Sequence, residues 1–487
     1  MEYTCHDNRK EIFDMKKFIT SANPYMPLWE HVPDGEPRVF EHNGEKRVYV
    51  YGSHDIEKNC YCGRDQVCWS APVDDLTDWT CHGVCYTATD GSILYAPDLV
   101  KKGDTYYMYA AERCGGQVMV ATAKTPWGPF TNPVKTELGF DPGILVDDDG
   151  KVYAYWGFCG CYWAELNDDM ATIKPETLVV NGIGHTEASW AKNDGAINKE
   201  EAFFEASSPR KVMGKYVYVY SKRTVDPRPD IGIDTPCNGF LSYMYSDKPL
   251  SGYVMGGDIS YNGGEILDNG DGSFSSTYRW GNNHGGLAEI NGQWYIFYHR
   301  QTGKDEFSRQ AMLEPVDVAL SKDGKLFIGD ITYDKNGEPV SCKPVEMTSQ
   351  GGNLNGIDAY SIISAGYTCH TTGCNYYETY IQPVYDRIDS VSAPLVNIPA
   401  GCTVGFRYLQ FGKLSPLTVT MWAEAETDFA VNVRIDSHKG KTIGTIGFRA
   451  GESVSSATLD YGVVGKHAVY FEFLGSCPKF DRFTFDN

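Results

Sequence analysis

The sequence predicts an all-β protein, a five-bladed β-propeller followed by a β-sandwich of the jelly-roll kind. Three observations carry that expectation. The composition favours pleated, half-buried surfaces, with 33 Tyr, 22 Phe and 10 Trp beside 51 Gly, and long helical periods are scarce. A unit made of a turn glycine and a short aromatic strand recurs at residues 44–51, 103–109, 150–155, 214–220 and 292–298. Beyond residue 347 short alternating runs continue without that unit. One hairpin cannot bury its aromatic face alone, so hairpins repeated at intervals of several tens of residues point to sheets arranged around an axis.

The elements follow in order. Residues 1–21 form an N-terminal segment without the apolar stretch of a signal peptide, so the expected location is the cytoplasm. Residues 22–347 form the propeller. Ahead of each aromatic hairpin lies another candidate strand, at 34–40, 94–98, 139–146, 203–208 and 282–285. The first strand of a propeller blade lines the central axis, so polar residues that arrive once per blade at the same phase are expected to converge there. Connections with turn residues around Trp79 and Trp127 are expected to pack one blade on the next. A polar, glycine-bearing linker at 347–352 ends the propeller. Residues 348–487 then carry alternating runs that suit a sandwich, with Trp422, Tyr376 and Tyr377 as candidate sugar-stacking residues.

Charge and cysteine usage narrow the function. A net charge of −21 disfavours nucleic acid as a partner, and no run reaches the roughly 20 apolar residues of a membrane span. Fifteen cysteines, odd in number and scattered along a long chain, read as reduced thiols. The groups Cys60/Cys62/Cys68 and Cys81/Cys85 lack the paired C-x-x-C spacing of a zinc site.

One stretch suggests chemistry by itself. In Phe203-Phe-Glu-Ala-Ser-Ser208 a carboxyl stands among aromatic neighbours. Desolvation there would raise its pKa, as a proton donor working near neutrality requires. The other reading of Glu205 is a strand-edge residue facing solvent.

Together these residues resemble glycoside hydrolase family 43, inverting enzymes on a five-bladed propeller, over about residues 22–345. The C-terminal part is similar to carbohydrate-binding module family 6, chiefly at 397–401, 435–446 and 465–473. The resemblance places the catalytic base on Asp34, the pKa-modulating acid on Asp141 within Asp-Pro-Gly-Ile-Leu-Val-Asp-Asp-Asp-Gly150, and the general acid on Glu205. It places the family's axial histidine, often near a metal ion or water, on His284. The first motif departs from the family's Asp-Pro and reads Asp34-Gly-Glu-Pro37, so Glu36, two residues on and on the same strand face, stays an alternative base.

Inverting hydrolysis needs one carboxylic acid to protonate the departing oxygen and one carboxylate to activate water on the opposite face. Weaker candidates for substrate contact are Asp98, Trp156, Phe204 and Arg300; the alternatives are a strand start for Asp98, core packing for the two aromatics and a salt bridge for Arg300. His54 and Asp55 are open in the same way. The expected function is exo-hydrolysis of terminal pentose from plant-derived oligosaccharides, as α-L-arabinofuranosidase or β-xylosidase. An exo-β-galactosidase and an inactive carbohydrate-binding propeller are the alternatives. No cofactor is expected for the chemistry; a structural calcium or other ion near His284 is the only candidate.

Overall fold

The structure, a computed structural model, describes residues 16–113, 115–184, 201–303, 305–385 and 391–487. It resolves into two compact units, one of Asn23–Met26 with Glu30–Met347, the other of the described residues up to Ala22, Pro27–Trp29 and Thr348–Asn487.

In the first unit five antiparallel sheets, at 36–87, 98–135, 143–180, 203–261 and 286–343, each run in sequence order. The repeated glycine has a geometric cause. Gly44, Gly103, Gly150, Gly214 and Gly292 turn the first strand into the second with φ between +60° and +84°, a conformation that side chains with a Cβ resist. The first strands, Glu36–His42, Asp98–Lys102, Gly143–Val146, Phe203–Val212 and Gly286–Ile290, pack on one another in order, and the fifth packs on the first. The ring is therefore closed. The start of the unit reinforces the closure, because Asn23 exchanges hydrogen bonds of 3.0 Å with the backbone of Leu313 in the third strand of the fifth blade.

Aromatic residues, most of them on the second strands, fill the space between blades. Tyr49, Tyr51 and Tyr106 pack between the first two, Tyr109 and Trp156 between the second and third, and Tyr155, Trp163, Phe203 and Tyr218 between the third and fourth. Each such buried ring contributes on the order of 2 kcal/mol. Trp127 stacks on His82 with a centroid separation of 5.4 Å and meets His42 edge-on, joining the second blade to the first.

The second unit is a sandwich of two six-stranded sheets. Phe406 and Phe471 from one sheet meet Phe480 and Phe483 from the other at centroid distances from 4.7 to 6.3 Å. The N-terminal segment that the sequence sets apart is stitched to this sandwich: Ile19 and Ile362 join through a 3.0 Å backbone bond, and Lys16 pairs with Asp486 at 2.6 Å. Trp422 does not offer a bare ring, because the Arg482 guanidinium lies over it at 5.2 Å. Tyr376 donates to the Thr371 carbonyl, whereas Tyr377 is 63% exposed. Among the described residues no helix is long and apolar enough to cross a membrane, and the described cysteines are free thiols.

Candidate active site

At one end of the propeller axis lies a cavity of about 660 Å³ whose lining includes Asp34, Asp141, Phe204, Glu205, His284 and Arg309. The chain delivers these side chains in an unexpected way. Asp34, Asp141 and His284 stand in the turns just ahead of the first strands, whereas Glu205 lies within one, next to Phe204. Both aspartates adopt positive φ, 58° and 47°, a strained conformation that turns the side chain towards the axis where an extended strand would alternate it away. At Glu205 the fourth blade achieves the same with a bulge: the register slips on both sides of it, and Ala206 takes a φ of 69°.

Asp34 is held as an anion. Ser53 donates to its Oδ2 at 2.7 Å, the Arg309 guanidinium stands 3.3 Å from Oδ1, and its own backbone N–H donates to His299 Nδ1. Burial works to raise its pKa, but Arg309 first, then the two histidines and the Ser53 hydroxyl, outweigh it and bring the carboxyl to about 2. His299 itself is drawn down to about 3 by burial and by Arg309, so it is neutral at working pH and Arg309 supplies the charge. Arg309 is fixed in turn by Asp55, which accepts from its Nε at 2.9 Å and from its Nη2 at 2.8 Å.

Glu205 is tuned the other way. It keeps part of its surface open to the cavity, yet the walls crowd it enough that desolvation is the largest effect on its carboxyl, followed by repulsion from Asp141. Both push its pKa well above the usual range, against the opposing pull of His284 and Arg309. Asp141 is raised by burial as well; its Oδ2 accepts from the Ala206 N–H and faces His284 Nδ1 at 3.5 Å. Burial disfavours the imidazolium of His284, but Asp141, Asp34 and Glu36 prevail and lift it to about 9. One cavity thus lowers the pKa of one carboxyl and raises that of another, the divergence that acid–base chemistry at two carboxyls requires.

The two acids of the first motif take different positions. Asp34 lines the cavity, whereas Glu36, one pleat further along the axis, is paired with Arg210 and accepts from Ser208. Three expected sugar contacts lie elsewhere. Asp98 is buried in a bidentate pair with Arg38, at 2.6 and 2.7 Å, and takes the Ile144 N–H. Arg300 is fully buried, donates to Gln310 and lies over the Tyr278 ring. Trp156 sits in the core between the second and third blades, stacked on Tyr162. Asp98 and Arg300 are thus engaged by polar side chains of other strands, and Trp156 by its neighbours in the core. Phe204 does face the cavity.

The metal expectation at His284 meets a poor donor set. Calcium takes six to eight oxygens, and among the described residues no group of three or more His, Cys, Asp or Glu side chains is placed to hold an ion. His284 acts here as a charge partner of the acids. Sequence reasoning missed Arg309, Tyr61, Cys62, Asn238 and Glu306 in the lining. Arg309 precedes a strand much as Arg300 ends one, and no local pattern separates them.

The sequence profile of glycosyl hydrolases family 43 matches residues 36–326. The chain belongs to this family. A xylosidase/arabinosidase of Thermoclostridium stercorarium is 31% identical over 491 residues, which cover 93% of this chain and 96% of the relative. An arabinoxylan arabinofuranohydrolase of Paenibacillus polymyxa is 25% identical, over 92% of this chain and 72% of its own length. The solved family 43 arabinoxylan arabinofuranohydrolase from Bacillus subtilis, in complex with cellotetraose, aligns over 97% of this chain and 99% of its own with 20% identity and a TM-score of 0.47. In this family 43 chain, the carboxyls at 34, 141 and 205 fall within or just ahead of the first strands of the first, third and fourth blades.

Proposed function

We propose that the protein is an inverting exo-glycosidase that releases terminal pentose, as α-L-arabinofuranosidase or β-xylosidase, from plant-derived oligosaccharides. The observation that carries the reading is that one cavity brings Asp34 and Glu205 together in surroundings that shift their pKa values in opposite directions. Glu205 protonates the glycosidic oxygen as its bond to the anomeric carbon breaks. Asp34 takes a proton from a water molecule that attacks that carbon from the opposite face, and the product leaves with inverted configuration. Asp141 keeps the proton on Glu205 by repulsion until it is needed, and Arg309 keeps Asp34 free of one. No cofactor enters these steps.

The choice of pentose is supported by the names of the relatives, and exo action by what lies further along the axis. There Glu36, Arg38, Asp98 and Arg210 fill the channel with ion pairs, so a polysaccharide chain cannot thread through. The test is hydrolysis of aryl α-L-arabinofuranosides, β-D-xylosides and β-D-galactosides, with the first-formed sugar anomer followed by proton NMR. Turnover of a pentoside with inversion is the expected result. Retention of configuration, or turnover of the galactoside alone, would overturn it.

A further inference from the structure

The polar residues of the cavity sort into two groups by what they touch. Asp34 is surrounded by Ser53, Cys62, His299 and Arg309. Glu205 has a different set. Asn238 Nδ2 stands 3.5 Å from its Oε1, and the Tyr61 side chain lines the same cavity. The Tyr61 hydroxyl donates to Glu306 Oε2 at 2.5 Å. Tyr61, Asn238 and Glu306 therefore stand around the mouth of Glu205, and all three line the cavity.

A general acid gives its proton to the oxygen that departs, so the groups beyond it meet the leaving group. We propose that Glu306, held by Tyr61, is the hydrogen-bond acceptor for the hydroxyls of a sugar leaving group and so sets the enzyme's preference for oligosaccharides over simple glycosides. The inference rests on the glycosidase reading above.

Three features of the pair fit that task. Glu306 Oε1 carries no hydrogen bond from the described residues, so one oxygen is fixed by Tyr61 and the other is free to accept. Tyr61 is itself immobilised, with the Arg309 guanidinium 5.0 Å over its ring and the Phe307 edge 5.1 Å away. The carboxylate is thus held in place before substrate arrives, which lowers the cost of ordering it on binding. Lastly, Phe204 and Phe158, 5.1 Å apart, give the cavity an apolar wall next to Glu205. A sugar ring has an apolar face of C–H groups and an edge of adjacent hydroxyls. The aromatic wall suits the face, and a carboxylate that can accept from two hydroxyls suits the edge. An aryl or alkyl leaving group would use only the wall.

The experiment compares two substrates with the same pentose and linkage, one carrying 4-nitrophenol and the other xylose as the leaving group. For Glu306→Ala the loss of kcat/KM on the disaccharide should exceed the loss on the nitrophenyl glycoside by roughly tenfold or more, mainly through KM, because a hydrogen bond to a charged acceptor is removed. Glu306→Gln, which keeps one acceptor oxygen, should fall between, and Tyr61→Phe should shift the ratio the same way by about threefold. These two milder variants decide the matter if the alanine variant does not fold. Equal losses on both substrates, or no loss on the disaccharide, would overturn the proposal. A wild-type protein that cleaves neither substrate would instead overturn the glycosidase reading, so the two failures are distinguishable.

Discussion

Two levels of one axis carry the same residue types and put them to opposite uses. At the cavity, Asp34, Asp141 and Glu205 face two cationic side chains among the described residues, Arg309 and His284, and Arg309 is already shared with Asp55. One pleat further along, Glu36 and Asp98, each 1% exposed, face two arginines, Arg210 and Arg38. Below, acids and cations are equal in number, and Arg38 reaches both Asp98 and Glu36. Above, acids outnumber cations, and the pKa of one of them, Glu205, is raised. What separates a proton donor from a structural ion pair here is the count of counter-charges within reach, and neither residue type nor position on the strand reveals it.

The largest effect should come from removing the ionised acid of the upper level. Asp34→Asn keeps the shape but cannot accept a proton from water, and turnover of an aryl pentoside should fall by about 10³–10⁴-fold with an unchanged near-ultraviolet circular dichroism spectrum. The matching change at the lower level, Asp98→Asn, should do the reverse. It leaves the Arg38 charge buried beside a neutral amide, which costs about 3–5 kcal/mol of stability in chemical denaturation while the folded fraction keeps its turnover number. If Asp98→Asn abolished turnover at full stability, the division between the two levels would be wrong.

Asp141 sharpens the comparison from within the upper level. Its negative charge raises the Glu205 carboxyl, and turnover needs that carboxyl protonated, so activity is lost as pH rises through the Glu205 pKa. With Asp141→Asn the repulsion disappears, the Glu205 pKa falls, and the alkaline limb of the kcat profile should move to lower pH. Turnover at neutral pH should drop by roughly 10–100-fold. An alkaline limb that stays in place would show that burial alone sets the acid.

Much of this was legible in the sequence, and the reasons divide cleanly. The propeller showed because Gly44, Gly103, Gly150, Gly214 and Gly292 each answer a local demand for positive φ and each precede aromatic strands that need a neighbour. Repetition then brings residues 34, 141 and 205 to one axis. The partners of single residues were not legible. Asp98 and Asp34 both precede or open first strands, but whether Arg38 or Arg309 reaches them depends on how side chains from different blades meet. Trp156 is open in the sequence between sugar contact and core packing; the aromatic positions of second strands alternate between blade faces, and its phase puts it in the core. Tyr61 and Glu306 lie outside the strands, where no period marks them.

The smallest expected effect separates the levels by the sign of a stability change. A glutamate in an unfolded chain releases its proton near pH 4.3. In the folded protein Glu205 retains that proton to a considerably higher pH, so over this window unfolding releases a proton and stability declines as pH rises. A glutamine has no proton to release. Glu205→Gln should therefore melt at nearly the wild-type temperature around pH 4 and gain about 2–4 °C at pH 8, although it is inactive. The same substitution one level down, Glu36→Gln, removes the partner of Arg210 and should lower the melting temperature at both pH values. Melting curves of the two variants at the two pH values would place each acid by sign alone. A loss of stability in Glu205→Gln at pH 8 would mean that Glu205 is held as an anion, and the assignment of proton donor would pass to another residue of the cavity.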